Sequence, residues 1–318
     1  MRTTDRPAAP VLAATLDAET VRAAARRNAG AIRPVSVVSA GDGLWYALEL
    51  HQHTGSFKAQ GLRNFLRAHH EAGLVPEAGV TIASGGNAGT ACAWAARDLG
   101  VRATVFVPES SPEVKRERLR SYGAEVRVVG AQYPEALAAC QAFAAESGAL
   151  AAHAYDHPLV AAGAGTLVDE IRAALPEVDA LVVAVGGGGL FAGVATAARE
   201  HGIRVIAVEP ENCPSLGTSL AAGVPTPTAV SGVAADSLGA FKVSQDALDA
   251  ARHPDVTALL VTDEAIVAAR RDLWDEHRIV VENGAAAALA GLRALPRAPG
   301  ENVVVVLCGA NTDPSDLA

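Results

Sequence analysis

The chain is short of cysteine, with four scattered residues, Cys92, Cys140, Cys213 and Cys308. No CxxC pair is among them, which argues against a structural zinc site or a disulfide framework and fits a reducing cytoplasm. Aromatic residues are scarce at 4%, so the core must be filled by Ala and Val, the usual packing of helix-and-sheet layers. Positive charge is in deficit. The net charge is −9 and no basic run occurs, which excludes nucleic acid as the expected partner. No apolar stretch reaches the length of a membrane span. The N-terminal Met1-Arg2-Thr3-Thr4-Asp5-Arg6-Pro7 is followed by no apolar run, so it does not read as a signal peptide. The histidine pairs His51/His53 and His69/His70 lack a third ligand at metal spacing and are read as satisfied or exposed; no metal is expected.

What remains is 318 residues, half of them hydrophobic, enough for one large domain or two lobes. Short apolar runs alternate with helical patterns. A first helix is expected over 17–29, with Asp17 and Glu19 at its start, Arg26 and Arg27 at its end, and Gly30 behind it. Strands are expected at Val35–Val38, Trp45–Leu50, Val80–Ala83, Ala103–Val107, Glu125–Val129, Ala180–Val185, Arg204–Val208 and Val303–Leu307. Helices are expected at Gly61–Ala72, Asn87–Leu99, Pro112–Tyr122, Tyr133–Ser147, Ala192–His201, Glu264–Glu276 and Ala285–Leu295. That rhythm means βαβ units and a mostly parallel sheet. The Pro/Thr/Ser/Gly-rich piece from Gly223 to Gly239 is the longest irregular stretch, either a loop over a site or a plain connection.

The chemistry centres on Lys58, in His53-Thr54-Gly55-Ser56-Phe57-Lys58-Ala59-Gln60-Gly61. A lysine held off solvent can be neutral, and a neutral amine condenses with a carbonyl to a Schiff base. Three glycine turns accompany it, each where a strand gives way to a loop or helix, the place where parallel sheets bind ligands. Ser84-Gly85-Gly86-Asn87-Ala88-Gly89 exposes backbone N–H groups at a helix start and suits a carboxylate or phosphate. Gly186-Gly187-Gly188-Gly189-Leu190 follows an apolar strand and suits phosphate. It is neither a Walker A loop nor a well-spaced dinucleotide fingerprint, although Glu209 stands where a ribose-binding acid would. Cys308-Gly309 ends the last strand, either as a small hydrophobe or facing a bound ring.

Taken together, Ser-Phe-Lys, Ser-Gly-Gly-Asn, Gly-Gly-Gly-Gly-Leu and the strand-end Cys-Gly resemble the pyridoxal-phosphate enzymes of the tryptophan-synthase-β type, fold-type II. The resemblance runs over roughly residues 35–312. Its nearest branch is the serine/threonine dehydratases (ammonia-lyases), and the cysteine is like that of liver-type serine dehydratases. It implies an α/β fold of two lobes, each a mostly parallel twisted sheet flanked by helices. Residues 59–155 would form the small domain and 1–58 plus 156–318 the large, cofactor-binding one. It implies a homodimer acting on a small amino acid. By position, Lys58 would form the Schiff base with pyridoxal 5′-phosphate and Phe57 would pack on a face of the ring. Asn87 would bond the ring hydroxyl, Gly186, Gly187, Gly188, Gly189 and Leu190 would hold the phosphate, and Cys308 would sit by the pyridine nitrogen. Ser84, Gly85, Asn87 and Ala88 would hold the substrate carboxylate.

The implied reaction is β-elimination of water from a hydroxy-amino acid such as L-serine or L-threonine, giving a 2-oxo acid and ammonia. The alternative is β-replacement, as in cysteine synthases. From the glycine runs alone, a nucleotide-binding oxidoreductase or a silent nucleotide-binding module is the other class. Departures are informative. Gln60 and Asn283 stand where the family commonly has Arg and Pro. Glu209 is followed by Cys213 and Ser215, which counts against the divalent-metal site of some relatives. Gly85 in the second loop position disfavours racemisation if the second base belongs there; Ser84 keeps it open if it belongs at the first. His51 and His53 are unusual before Thr54 and are candidates for lining a substrate pocket; Asp236 and Ser237 fit the substrate-side loop imperfectly.

Overall fold

The computed structural model describes residues 11–317. The stretch Met1–Pro7 therefore lies outside the described residues. Ten strands form two sheets: β1 (Val37–Gly41), β2 (Leu44–Ala47), β3 (Val80–Ala83), β4 (Ala103–Val107), β5 (Glu125–Val128), β6 (Leu150–Ala151), β7 (Ala180–Ala184), β8 (Arg204–Pro210), β9 (Val256–Val261) and β10 (Val303–Val306). The larger sheet has the order β1-β2-β10-β7-β8-β9 and the smaller β5-β4-β3-β6. Every pairing is parallel except that of β1 with β2.

The central strands β7 and β10 are buried along their whole length, Ala180–Ala184 and Val303–Val306. Strands covered on both faces read as unbroken apolar runs, which is why they were legible in the sequence. Each buried Val contributes roughly 1.5–3 kcal/mol. The helix Ala18–Asn28 starts where Asp17 accepts from the Thr20 N–H and the Thr20 hydroxyl oxygen accepts from the Asp17 N–H, a reciprocal cap.

Several expectations need correcting. The strand expected to reach Leu50 ends at Ala47, because Glu49–His51 winds into a 3-10 turn. The helix expected from Gly61 starts at Lys58, and the one expected from Ala192 starts at Gly189. Both early starts put functional residues on a helix's first turn rather than in the loop before it. The irregular 223–239 stretch contains a short helix, Ala235–Leu238. The strands β6 and β9 and the helices Pro158–Gly165, Leu167–Ala174, Ser215–Ala222 and Gln245–Ala251 were not anticipated.

Pro158–Gly165 shows why. Its glycines lower helix propensity, yet they are required by packing. A Cβ on Gly163 would meet the Gln60 carbonyl at 2.6 Å, and one on Gly165 the Gly193 carbonyl at 2.5 Å. The helix is wedged between Lys58–Glu71 and Gly189–Arg199, where only bare backbone fits.

Candidate active site

The strand order brings the functional turns together. Lys58 follows β2, Cys308 follows β10, Gly186–Leu190 follows β7, and Glu209 ends β8, and these four strands are neighbours in that order. The Ser84–Ala88 turn reaches the same place from β3 of the smaller sheet, as its bonds to Glu282 and Asn311 show.

Lys58 opens its helix half-buried. Its Nζ donates to the Ala154 carbonyl at 2.8 Å and lies 4.7 Å from the Phe57 ring centre. Burial lowers its ammonium to about 8, while Cys308 and Glu282 pull the other way. At pH 7 roughly a tenth of such a lysine is neutral, against well under a thousandth for an ordinary one. The segment before it is tied to the last strand: the Phe57 N–H donates to the Cys308 carbonyl at 3.0 Å. The Cys308 thiol is buried, and burial raises it far above its ordinary value, so it stays neutral.

Tyr155, next to Ala154, joins the lysine to the tetraglycine turn. A Cβ on Gly187 would meet its ring at 2.4 Å, and one on Gly189 its carbonyl at 2.9 Å. Gly188 has φ +89° and would drive a Cβ to 2.3 Å from Ala247. Among the described residues, the N–H groups of Gly186 to Leu190 have no acceptor in the protein. Five free amides at the start of the helix Gly189–Arg199 make a nest for a phosphate. The Gly186 carbonyl behind it accepts from Ser215 Oγ at 2.7 Å. With an amine near by and a neutral thiol on the adjoining strand, the donor set fits a phosphorylated aldehyde ring.

Asn87 Nδ2 donates to both carboxylate oxygens of Glu282 at 3.0 Å, and its Oδ1 accepts from Asn311 Nδ2 at 2.6 Å. Glu282 is buried at the start of the helix Asn283–Arg293, without capping it. Burial raises its carboxyl to about 7, against the Asn87 bonds. In the Ser84 turn, Gly86 N–H donates to Ser84 Oγ at 3.4 Å, while the amides of Gly85 and Ala88 have no acceptor among the described residues.

The remaining candidates are held by partners of their own. His51 is exposed, and His53 stacks on Trp94 with ring centres 4.6 Å apart. His69 is buried and satisfied by the Leu12 N–H and the Phe65 carbonyl. Asp236 pairs with Lys115 at 3.7 Å, and Ser237 Oγ accepts from the Gly284 N–H at 3.1 Å. Glu209 spends its carboxylate on the helix Ser215–Ala222, accepting from the Leu216 N–H at 2.6 Å and the Gly217 N–H at 2.8 Å. That leaves it unavailable to a ribose. Among the described residues, no group of three or more His, Cys, Asp or Glu is placed to hold a metal, and no helix is long and apolar enough to cross a membrane. Glu282, Ala154, Tyr155, Asn311 and Arg118 were not predicted as site residues. Glu282 left a signal as an acid just before a helix start, and Asn311 as a polar residue close behind Cys308-Gly309.

These features define an α/β enzyme with an anion nest and a reactive lysine at the carboxyl ends of a parallel sheet. A family model described as pyridoxal-phosphate dependent enzyme matches residues 32–309, and the chain belongs to that family. Its cofactor is accordingly pyridoxal 5′-phosphate. It is 38% identical over 275 residues to the L-threonine ammonia-lyase of Geobacter sulfurreducens, covering 85% of this chain and 67% of that one. It is 36% identical over 278 residues to a human serine dehydratase-like protein, covering 82% of each. The structure of maize serine racemase superposes with a TM-score of 0.87 at 27% identity, covering 96% of both chains. The nucleotide-binding alternatives find no support in these likenesses.

Proposed function

We propose that the enzyme is a lyase that dehydrates and deaminates a β-hydroxy-α-amino acid such as L-serine or L-threonine to the 2-oxo acid and ammonia. The observation that carries this reading is Lys58: a half-buried amine brought down to about 8, with a neutral thiol on the adjoining strand and the anion nest beyond it. The resident cofactor supplies an aldehyde for the amine and a ring that withdraws electrons from the substrate's α-carbon. The Lys58 amine would hold that aldehyde, and its Nζ, when free, would accept the α-proton. Phe57 would pack on one face of the ring, and the amides of Gly186, Gly187, Gly188, Gly189 and Leu190 would hold the phosphate. Asn87 would face the ring hydroxyl. Ser84, Gly85, Asn87 and Ala88 receive the substrate carboxylate at the start of the helix Asn87–Asp98.

Cys308 would lie by the pyridine nitrogen. A neutral thiol cannot hold a proton there as an aspartate would, so the ring would pull electrons more weakly, which would favour prompt loss of the β-hydroxyl over transamination. The likeness to ammonia-lyases and serine dehydratases supports elimination over replacement. We further divide the chain into a small domain at 59–155, which contains all four strands of the smaller sheet, and a large domain from 1–58 and 156–318. A homodimer follows from the family resemblance, and four free buried cysteines suit a reducing cytoplasm.

A panel of β-hydroxy amino acids, scored for ammonia and 2-oxo acid, tests the proposal. Release of both from serine or threonine is expected, with loss of at least a thousandfold in Lys58→Ala. Activity only with an activated serine plus a thiol would replace elimination by β-replacement.

A further inference from the structure

Arg118, on the helix Glu113–Ser121 beside the smaller sheet, reaches across to the other lobe. Its Nη1 donates to Asn311 Oδ1 and its Nη2 to the Thr54 carbonyl at 2.9 Å. Asn311 Nδ2 in turn donates to the same Thr54 carbonyl at 2.8 Å and to Asn87 Oδ1 at 2.6 Å. A guanidinium can only donate and a backbone carbonyl can only accept. Asn311 therefore has one permitted orientation, oxygen toward Arg118 and nitrogen toward Thr54. That orientation uses up the oxygen of Asn87 and leaves its nitrogen as the donating end of the amide, shared here between the two carboxylate oxygens of Glu282 at 3.0 Å.

The backbone shows that this arrangement is held against strain. Thr54 sits at φ +68°, a left-handed conformation that a β-branched residue rarely adopts, and its carbonyl receives both donors. Gly55 follows at φ +75°, and a Cβ there would strike Asn311 Oδ1 at 2.7 Å.

We propose that Arg118 is a positioning residue which, through Asn311, fixes the Asn87 amide with its N–H donor, not its oxygen, toward the cofactor's ring oxygen. This rests on the reading that Asn87 faces the ring hydroxyl. A donor there favours the ionised ring oxygen, and the ionised oxygen keeps a proton on the nitrogen of Lys58 opposite it. A reversed amide would present a carbonyl and favour the un-ionised ring. Because Arg118 and Asn311 belong to different lobes, the polarity is set only when the lobes are together.

The test uses the cofactor-loaded protein and three variants: Arg118→Met, Arg118→Lys and Asn311→Asp. The aspartate would set an acceptor against both Thr54 O and Asn87 Oδ1 and so turn Asn87 over. The readouts are the ratio of yellow to near-ultraviolet absorption across pH and retention of cofactor on dialysis, with circular dichroism to verify folding. Asn311→Asp is expected to lower the yellow fraction and weaken retention about tenfold, the effect of one lost charge-assisted bond. Arg118→Met shifts both in the same direction, and Arg118→Lys restores most of the yellow fraction. Folded Arg118→Met and Asn311→Asp proteins with wild-type spectrum and retention would overturn the relay. A wild-type protein that never turns yellow, and takes no borohydride label at Lys58, would instead overturn the cofactor reading itself.

Discussion

The Gly186–Gly189 turn and the Ser84–Gly86 turn both follow a buried parallel strand and both open a helix, yet their glycines meet different surroundings. In the first, every glycine is hemmed in by fixed groups: backbone of Leu238, the ring and carbonyl of Tyr155, the methyl of Ala247. In the second, a Cβ on Gly86 would meet nothing within 4 Å, and one on Gly85 would meet the Ser111 hydroxyl at 2.8 Å, a side chain that can rotate. The first turn is a rigid mould, and the second has slack at Gly85 and Gly86, although a Cβ on Gly89 behind them would run into the Ser84 carbonyl. A resident cofactor wants the mould, because affinity comes from amides already in place. A substrate that enters and leaves at each turnover suits the looser turn.

The sharpest way to break that contrast is Gly188→Ala. It adds a left-handed alanine whose methyl would come to 2.3 Å from that of Ala247, inside a packed helix start. Nearby backbone must shift, at a cost of about 3 kcal/mol. Thermal melting should fall by several degrees, and dialysis should strip the cofactor. A variant that melts like the wild type and keeps its cofactor would show the mould to be soft.

The mould was legible in the sequence because four glycines after an apolar strand have few other uses. Lys58, the Ser84 turn and Cys308 were legible for the same reason: each breaks a strand or opens a helix with residues that local structure does not need. What holds them was not. Asn87 and Glu282 are separated by 195 positions and Arg118 and Asn311 by 193, and a contact over such a distance leaves no periodicity. The helix Pro158–Gly165 hid because its glycines serve helix–helix approach, which single-residue propensity counts against it. The edge strand β9 hid because its exposed and buried residues do not alternate cleanly.

Buried carboxyls lie behind both turns. Glu282, bonded to Asn87 of the Ser84 turn, and Glu209, joined through Ser215 to the Gly186 carbonyl, are raised to about 7, and Glu49 to about 8, chiefly by burial. Glu49 is the extreme case. Its Oε1 accepts from Gln60 Nε2 at 3.3 Å, and neither its Oε2 nor Gln60 Oε1 has a partner among the described residues. No cation stands where the family commonly has arginine. A carboxyl with a raised folded value binds its proton more tightly when folded, so its stabilising effect is complete below its ordinary value of 4.5 and is lost as pH rises to about 8. Glu49→Gln should flatten that decline by about 1 kcal/mol per pH unit, and the variant should overtake the wild type near and above pH 8. Parallel pH curves for the two proteins would mean that Glu49 is ionised throughout.

The smallest effect expected is the one that most directly sharpens the comparison. Gly86 begins the helix Asn87–Asp98 with negative φ and open space around it. Gly86→Ala should therefore change stability by less than about 1 kcal/mol, as most substitutions without a clash do. It should leave cofactor retention as it was. Its methyl nevertheless stands beside the unpaired amides that receive the substrate carboxylate in the proposed mechanism. The expected signature is a KM raised a few-fold with kcat almost unchanged, the pattern of an interaction equally strong in the ground and transition states. A fall in kcat with KM held would mean that the carboxylate grip tightens as the reaction proceeds, and the Ser84 turn would then belong with the rigid mould.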